Sequence, residues 1–362
     1  MTTQSKKHIS VLSLFNGMSF GKMALESLDV KVNKYYSSEI DKYANQAAQA
    51  LFPDTIQLGD VTKWRDWDID WVGIDLVTGG FPCQAWSMAG KQLGDKDERG
   101  MLFWTMLDII KHVKYHNPKA DFLIENVKMK KEFEQYITTH TENALGKVHK
   151  ILINSALVSA QNRNRYYWTS FAVEQPEDEG IFMAEIIDTD CGLVNSEGWH
   201  KWWRLKQEFQ IKKKYSAICN DGSTDKAICM TARQYASWNG NFVKCISSAG
   251  RNSEGQRVLR KACNKSPAIT ARYYKGVKSD GAPFVYSGNK LKGDSFDYAD
   301  TETYRKLTPR ECFRLQTVPE HHIDTLLSAG ISNSQLYKMC GNGWTMEVIK
   351  HIFKHMGFAN HG

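Results

Sequence analysis

Three features that would each indicate a specialised class of protein are missing from this chain of 362 residues. None of its eight cysteines forms a Cys-x-x-Cys pair, so the usual zinc-ligand and redox-dithiol patterns are absent. Its most apolar long stretch, Met101–Ile110, is too short for a membrane span and contains Asp108. Its start, MTTQSKKHIS, has no secretory leader before the strand-like VLSLF. We therefore expect no bound metal, no membrane partner and a reduced, cytoplasmic location.

The charge is unevenly distributed along the chain. Lys and Arg number 47 and Asp and Glu 40, which gives a net charge of +7. Residues 191–290 contain 18 Lys or Arg and only 6 Asp or Glu, or +12, so the rest of the chain carries −5. An acidic body with a strongly basic segment predicts a polyanionic partner.

Residues 1–175 alternate between strand-like and helix-like segments. Strands are predicted at Ile9–Phe15, Tyr35–Ser38, Ile74–Thr78, Asp121–Glu125, Val148–Val158 and Arg165–Phe171. Helices are predicted at Ser19–Leu28, Lys42–Leu51, Met101–Val113 and Val127–Ile137, then from Thr308-Pro309 onward and at Met346–Met356. This order is typical of an α/β fold whose mostly parallel sheet is covered by helices on both faces, with ligands at the carboxyl ends of the strands.

The chain changes character after Gln175, where acidic residues surround Pro176. Residues 191–300 are rich in Gly, Ser, Asn, Lys and aromatic residues with weak periodicity, which indicates irregular β structure and loops. A short approximate repeat within it, Thr231–Tyr235 and Thr270–Tyr274, is either coincidence or a pair of similar units that present arginines.

A glycine-containing turn, Phe15–Gly21, follows the first strand and opens a helix. Alone it fits a structural turn as well as a ligand site. Glu39 and Asp60 then follow the next two strand-like segments, and carboxylates in such places accept hydrogen bonds from ribose hydroxyls or an amino group. Together, the glycine turn, Glu39 and Asp60 favour an adenosine-type cofactor site.

A second group of polar residues follows the later strands. Cys83 comes after Pro82 at the predicted ligand-binding edge and is a candidate nucleophile, whereas the other seven cysteines are expected to be small, partly buried apolar side chains. The polar stretch that follows Cys83, residues 84–99, is expected to form a lid. Glu125 ends a strand and is a candidate proton donor. Arg163 and Arg165 lie on one side of an extended chain, and the alternative for them is a solvated surface strand.

These motifs, in this order, resemble the cytosine-C5 DNA methyltransferase family. The match runs along nearly the whole chain and comprises the glycine turn, Glu39, Asp60, Pro82-Cys83-Gln84, Glu125-Asn126-Val127, Gln161-x-Arg163-x-Arg165, Arg305–Gln316 and Gly341-Asn342-Gly343-Trp344. The chain departs from the family in the spacing of the glycine turn and in Gly343-Trp344, where small and aliphatic residues are commoner. Both departures concern cofactor packing. No regulatory domain accompanies the motifs, so the chain is similar to the compact prokaryotic and viral members.

The resemblance implies a Rossmann-like catalytic domain at residues 1–175, a smaller β-rich target-recognition domain at 176–325, and a C-terminal segment at 326–362 that returns to the first domain. It implies that S-adenosylmethionine donates the methyl group, that duplex DNA is the substrate, and that the cytosine is flipped out of the helix. We expect a monomer that serves restriction–modification or viral self-protection.

The resemblance also assigns roles to residues. Cys83 would attack C6 of cytosine, Glu125 would donate to N3, Arg165 would contact O2, and Arg163 would support the pocket. The cofactor would be held by Phe15, Gly17, Gly21, Glu39, Ile40, Asp60, Pro82, Leu102, Asn342 and Trp344. DNA would be contacted by Gln84, Ser87, Lys91, Arg99, Arg233 and Arg272, of which the last two are candidates for reading guanine.

Two alternatives remain at this point. A small branch of the same fold modifies cytosine in tRNA with the same residues, although it usually lacks so large a basic insert. The second alternative is a catalytically silent DNA-binding paralogue. The presence of Cys83, Glu125 and Arg165 argues against this alternative.

Overall fold

The computed structural model describes residues 8–82, 100–182, 185–187, 217–220, 226–230, 240–245, 247–251, 257–261 and 303–356. For Ile228 and for the strands at 217–220, 240–261 and 303–306, the description covers the backbone alone.

A seven-stranded sheet forms the centre of the described structure, in the order β3-β2-β1-β4-β5-β8-β6. Its strands are β1 (His8–Leu14), β2 (Lys31–Ser38), β3 (Ile56–Gln57), β4 (Leu76–Gly79), β5 (Asp121–Val127), β6 (His149–Asn154) and β8 (Asn164–Thr169). The five strands from β3 to β5 are parallel, while β8 is antiparallel to both β5 and β6. The prediction of a mostly parallel sheet is confirmed.

Eight α-helices accompany the sheet in the described ranges. They are α1 (Phe20–Glu26), α2 (Lys42–Leu51), α3 (Met101–His116), α4 (Lys131–Leu145), α5 (Pro309–Leu315), α6 (Glu320–Ser328), α7 (Asn333–Asn342) and α8 (Met346–Lys354). Short 3-10 turns occupy Val61–Asp66 and Ser155–Leu157. None of the helices described here is long and apolar enough to cross a membrane.

Side chains of β1 alternate between two hydrophobic clusters, one on each face of the sheet. Val11 belongs to the cluster that contains the buried residues of α1 and of α5 to α8. Leu12 belongs to the cluster that contains those of α3 and Ile137 of α4. Both faces are therefore covered by helices, as the alternating sequence predicts.

Two predicted boundaries are wrong, for local reasons. The helix predicted at Val127–Ile137 begins later and is α4, Lys131–Leu145. Val127 cannot begin it because this residue still belongs to β5, where it pairs with Arg165 of β8. The strand predicted at Val148–Val158 ends at Asn154, because the Asn154 side chain accepts a hydrogen bond from the Ala156 N–H and caps a 3-10 turn.

The C-terminal segment packs on the first part of the chain, with α8 lying against α1. Helix α5 begins as its sequence predicts, with Thr308 and Glu311 forming a reciprocal capping box around Pro309. The backbone between 217 and 306 contributes short strands, one of which pairs with β7 of the first part of the chain. The pairings are β7 (Gln161–Asn162) with β10 (Ala227–Ile228), β9 (Ala217–Asn220) with β11 (Gly240–Cys245) and β14 (Thr303–Lys306), and β12 (Ser247–Arg251) with β13 (Arg257–Lys261). The domain boundaries themselves stay a prediction.

Candidate active site

A cleft of about 640 Å³ opens where β1, β2, β4 and β5 end. We call one side of it the glycine-turn side, formed by residues 15–20, 38–44 and 59–62. We call the other the charged side, formed by Gly80, residues 125–127, Arg163, Arg165 and residues 341–344. The glycine-turn side comes from segments that follow strands, which is where open α/β sheets bind their ligands. The charged side combines the end of β5, the start of β8 and the end of α7.

The turn after β1 is tightly wound, because Phe15, Gly17 and Ser19 all have a positive φ. A side-chain bond from Asn16 Nδ2 to Ser19 Oγ, at 2.8 Å, closes the turn. The Tyr35 hydroxyl donates to Asn16 Oδ1 at 3.0 Å and ties the turn to β2. A Cβ at Gly17 would touch no other atom within 4 Å, so the turn leaves open space on that side.

Glu39, directly after β2, accepts hydrogen bonds from three backbone N–H groups. Oε2 accepts from Gly17 at 2.9 Å, and Oε1 accepts from Ile40 and Asp41 at 2.9 Å each. A carboxylate has about four acceptor positions, so one remains for a ligand. Ile40 beside it is 76% exposed and presents apolar surface at the cleft.

Asp60 caps the 3-10 turn at Val61–Asp66 through Oδ1, which accepts from the Thr62 N–H and hydroxyl at 2.9 Å each. The Thr62 backbone bond is the largest cause that lowers the pKa of Asp60, so this carboxylate stays ionised at neutral pH. Its Oδ2 has no hydrogen-bond partner among the residues that the structure describes.

Glu125 is the central residue of the charged side and is only 8% exposed. Its Oε1 lies 3.1 Å from Arg165 Nε, and its Oε2 accepts a hydrogen bond from Trp344 Nε1 at 3.1 Å. A Cβ at Gly80 would lie 2.7 Å from Glu125 Oε2 and 3.2 Å from Trp344 Nε1, so a side chain at this position would displace the carboxyl group.

Arg163 is 2% exposed, so a solvated surface position is ruled out for it. Its Nη2 donates to the carbonyls of Gly343 at 2.7 Å and Gly341 at 3.2 Å. Its Nη1 donates to the Met230 carbonyl at 3.2 Å. One guanidinium thus joins three separate parts of the chain.

Cys229 contacts both arginines, and the sequence gives no sign of this. Its Sγ lies 3.3 Å from Arg163 Nη1 and 3.6 Å from Arg165 Nη2. Burial raises the pKa of the Cys229 thiol, but the two guanidiniums outweigh burial and the net shift is downward. Burial by itself would lower the pKa of Arg165, but the neighbouring Cys229 and Glu125 more than offset burial, so the net shift of this pKa is upward. Cys229 is partly buried, as predicted, but it lies between two guanidinium groups and not in the apolar environment expected for it. Cys312 and Cys340 are buried.

The described residues predicted to hold a cofactor meet in this cleft, with one exception. The cleft is lined by Phe15, Gly17, Glu39, Ile40, Asp60, Pro82, Leu102, Asn342 and Trp344. Gly21 lies behind it, where a Cβ would approach Tyr35 Oη to 3.4 Å and Trp344 Cζ3 to 3.6 Å. Glu125, Arg163 and Arg165 line the same cleft. Seven predicted residues lie outside the described ranges, namely Cys83, Gln84, Ser87, Lys91, Arg99, Arg233 and Arg272.

The residues of the glycine-turn side fit an adenosyl group. Among the residues that the structure describes, Glu39 retains an acceptor position and Asp60 an oxygen without a partner, which suit ribose hydroxyls and an adenine amino group. The side chains of Phe15 and Ile40 offer apolar surface for a base. The cleft volume lies within the range of small-molecule sites.

The sequence matches the family described as C-5 cytosine-specific DNA methylase over residues 9–357. The chain is 30% identical to the type II methyltransferase M1.ScrFI of Lactococcus lactis subsp. cremoris, across 96% of this chain and 77% of that protein. It is 27% identical to the type II methyltransferase M.HhaI of Haemophilus parahaemolyticus, across 96% and 93%. An orphan methyltransferase of Bacillus phage SPR, M.SPRI, is 26% identical across 96% and 97%.

The fold is similar to that of solved methyltransferases. The structure of the Entamoeba histolytica methyltransferase EhMeth superposes with a TM-score of 0.61 at 13% identity, covering 96% of this chain and 98% of that one. A mutant of Spodoptera frugiperda DNMT2 superposes with a TM-score of 0.59 at 18% identity, covering 98% and 100%. At these identities the likeness concerns the fold alone. The sequence match shows that the chain belongs to the C-5 cytosine-specific DNA methylase family and is a cytosine-C5 methyltransferase that uses S-adenosylmethionine as methyl donor.

Proposed function

We propose that this chain methylates C5 of a flipped-out cytosine in duplex DNA through a covalent bond between Cys83 and C6 of the base. The observation that carries the proposal is the buried pair of Glu125 and Arg165 beside Pro82 in a cleft suited to adenosine. Cytosine presents N3 and O2 side by side. A carboxyl group next to a guanidinium matches that edge, with Glu125 donating to N3 and Arg165 donating to O2.

The proposed reaction begins with addition of the Cys83 thiolate to C6. Electron density moves toward N3, where a proton or hydrogen bond from Glu125 relieves the charge and leaves C5 nucleophilic. S-adenosylmethionine supplies an electrophilic methyl group. After C5 has taken the methyl group, a base, in the simplest case water, removes the C5 proton. The C6–S bond then breaks, the Cys83 thiolate is regenerated, and the proton held at N3 returns to Glu125.

Duplex DNA is favoured over RNA by two observations. Two of the relatives that match nearly the whole chain are named type II methyltransferases, and the family is described as a DNA methylase. Residues 191–290 carry a charge of +12, and the branch of the fold that modifies tRNA usually lacks so large a basic insert. The proposed DNA contacts are Gln84, Ser87, Lys91, Arg99, Arg233 and Arg272. We propose that the enzyme acts as a monomer.

Glu39 and Asp60 are proposed to bind the ribose hydroxyls and the adenine amino group. Phe15 and Ile40 would contact the adenine ring, and Gly17 and Gly21 would shape the turn. The remaining cofactor contacts would come from Pro82, Leu102, Asn342 and Trp344. Arg163 acts as a positioning residue in this proposal, because its described bonds go to backbone carbonyls and to Cys229.

The proposal is tested by methyl transfer from labelled S-adenosylmethionine to two substrates, duplex DNA and tRNA. We expect label in DNA, at cytosines that bisulfite sequencing then locates, and none above background in tRNA. Label in tRNA alone would move the chain to the RNA branch, and no label in either would favour a silent DNA-binding paralogue.

Cys83→Ser tests the assignment of the nucleophile, because it replaces only the sulfur atom of this side chain by oxygen. It should abolish methylation while leaving DNA binding intact in a gel-shift assay. Methylation by Cys83→Ser at the rate of the parent would refute the assignment of the nucleophile.

A further inference from the structure

Trp344, which we propose as a cofactor contact, also contacts a proposed catalytic group. The sequence singles it out as a departure from the family pattern that concerns cofactor packing. Its indole Nε1 nevertheless donates to Glu125 Oε2 at 3.1 Å. The other oxygen, Oε1, lies 3.1 Å from Arg165 Nε, so each carboxylate oxygen has its own donor.

We propose that Trp344 is a positioning residue for Glu125, whose indole N–H fixes the carboxyl group in the orientation that meets N3 of the cytosine. The inference rests on the proposed function, in which Glu125 contacts the base.

The indole is held on several sides, so its N–H is preorganised. Gly21 lies under the ring, where a Cβ would come within 3.6 Å of Cζ3. Gly343 before it is fixed through its carbonyl by Arg163 at 2.7 Å. Thr345 after it is fixed through its hydroxyl, which lies 2.8 Å from Ser155 Oγ and donates to Gln316 Oε1 at 2.9 Å. Donors fixed before the reaction cost no reorganisation during it.

A fixed neutral donor is useful at this position because the terminal torsion of a glutamate is broad. The indole N–H can donate but cannot accept a proton, so it orients Glu125 without competing as an acid or base. When Arg165 turns toward O2 of the base, Oε1 becomes available to N3, and Trp344 continues to hold Oε2. A carboxyl group restrained by one oxygen in this way presents the other in a defined direction.

Trp344→Phe tests the inference because it keeps an aromatic ring in the cleft and removes the N–H. A hydrogen bond contributes about 1 kcal/mol net, and this bond orients the group that meets N3, so we expect kcat to fall about tenfold. KM for S-adenosylmethionine should change less than about twofold, because the ring remains. Trp344→Leu, which removes the ring as well, should also raise that KM.

Trp168→Phe is the matched control. Its indole Nε1 donates to Thr138 Oγ1 at 2.9 Å, and it does not line the cleft. The same chemical deletion there should leave kcat and KM unchanged. If both Trp→Phe variants lower kcat equally, the loss is a general effect of deleting an indole and the inference is overturned.

A double-mutant cycle with Glu125→Ala identifies the path of the effect. If Trp344 acts through Glu125, Trp344→Phe should have no further effect on the residual single-turnover rate of Glu125→Ala. An undiminished tenfold loss in that background would overturn the inference while leaving the proposed function intact.

A spectroscopic readout separates the inference from the proposed function. The ¹⁵N–¹H signal of the Trp344 indole, assigned by its loss in Trp344→Phe, should shift in Glu125→Ala, and the Trp168 signal should not. An unshifted Trp344 signal overturns the contact even in an active enzyme. A shifted signal in a protein that methylates neither substrate would preserve the contact and refute the proposed function.

Discussion

On the glycine-turn side of the cleft, Glu39 and Asp60 accept hydrogen bonds from backbone and side-chain groups of nearby loops, none more than 22 residues away in sequence. On the charged side, the Glu125 carboxylate and the Arg163 guanidinium are bonded to residues 219 and 180 positions away, respectively. The two carboxylates of the first side are held by their own loops, although Asp41 of that side also pairs with Lys338 of α7 at 2.5 Å. On the charged side, the bonds of Glu125 to Trp344 and of Arg163 to Gly343 form only when the C-terminal segment has packed on the sheet, so this part of its geometry depends on the whole fold.

Arg163→Lys should have the largest effect, because a lysine cannot reproduce the forked contacts to Gly341, Gly343 and Met230. We expect the free energy of unfolding, measured by urea denaturation, to fall by about 3 kcal/mol. Arg65→Lys is the control. Its side chain is 69% exposed, and the same exchange there should cost less than about 0.5 kcal/mol. Equal losses in the two variants would contradict the long-range role of Arg163.

Gly80→Ala should affect the charged side alone. The added Cβ would lie 2.7 Å from Glu125 Oε2 and push the carboxyl group aside. A displacement of this size lowers kcat by about 100-fold, while KM for S-adenosylmethionine should change little. In Gly73→Ala the Cβ would meet only the Asp70 side chain, which can move. Normal kinetics in Gly80→Ala would show that Glu125 need not be held where the structure has it.

Glu39→Gln should affect the glycine-turn side alone. A glutamine has one acceptor oxygen, so its amide N–H₂ would face at least one of the N–H donors of Gly17, Ile40 and Asp41. We expect KM for S-adenosylmethionine to rise about tenfold with kcat at saturation nearly unchanged. The control for Glu39→Gln is Asp54→Asn, which makes the same exchange of a carboxylate for an amide at a surface residue beside Lys22. A lower kcat with unchanged KM would mean that the two sides are not independent.

Asp60→Asn should have the smallest effect, since asparagine caps a helical turn as well as aspartate. At pH 7 the free energy of unfolding should change by less than about 0.5 kcal/mol. The Thr62 bond lowers the pKa of Asp60 in the folded state, so its stabilisation is present above the pKa of the unfolded chain. That stabilisation is lost as the pH falls through the folded pKa. The free energy of unfolding, measured by urea denaturation at several pH values between about 5 and 3, should therefore fall less steeply with decreasing pH in Asp60→Asn than in the parent. The same pH dependence in both proteins would contradict the role of the Asp60 cap.

The sequence predicts the glycine-turn side better than the charged side. Glu39 and Asp60 could be found because each follows a strand, and turn chemistry is local. Glu125 and Arg165 could be found as candidates but not as a pair, because their contact depends on β8 running antiparallel to β5. The bond from Trp344 to Glu125 and the place of Cys229 between two arginines come from tertiary packing, and no spacing in the sequence indicates them.

Residues 231–306, which include part of the basic segment 191–290, are flanked by two residues whose backbone groups are hydrogen-bonded to the rest of the structure. On one side, the Met230 N–H donates to Gln161 Oε1 at 2.7 Å and its carbonyl accepts from Arg163. On the other, the Leu307 carbonyl accepts from the Tyr337 hydroxyl at 2.5 Å. Residues 231–306 are therefore attached at two fixed points, so a segment from another methyltransferase could be grafted there. Such a graft would replace part of the chain that we propose meets DNA and would leave Glu125, Arg163 and Arg165 in place.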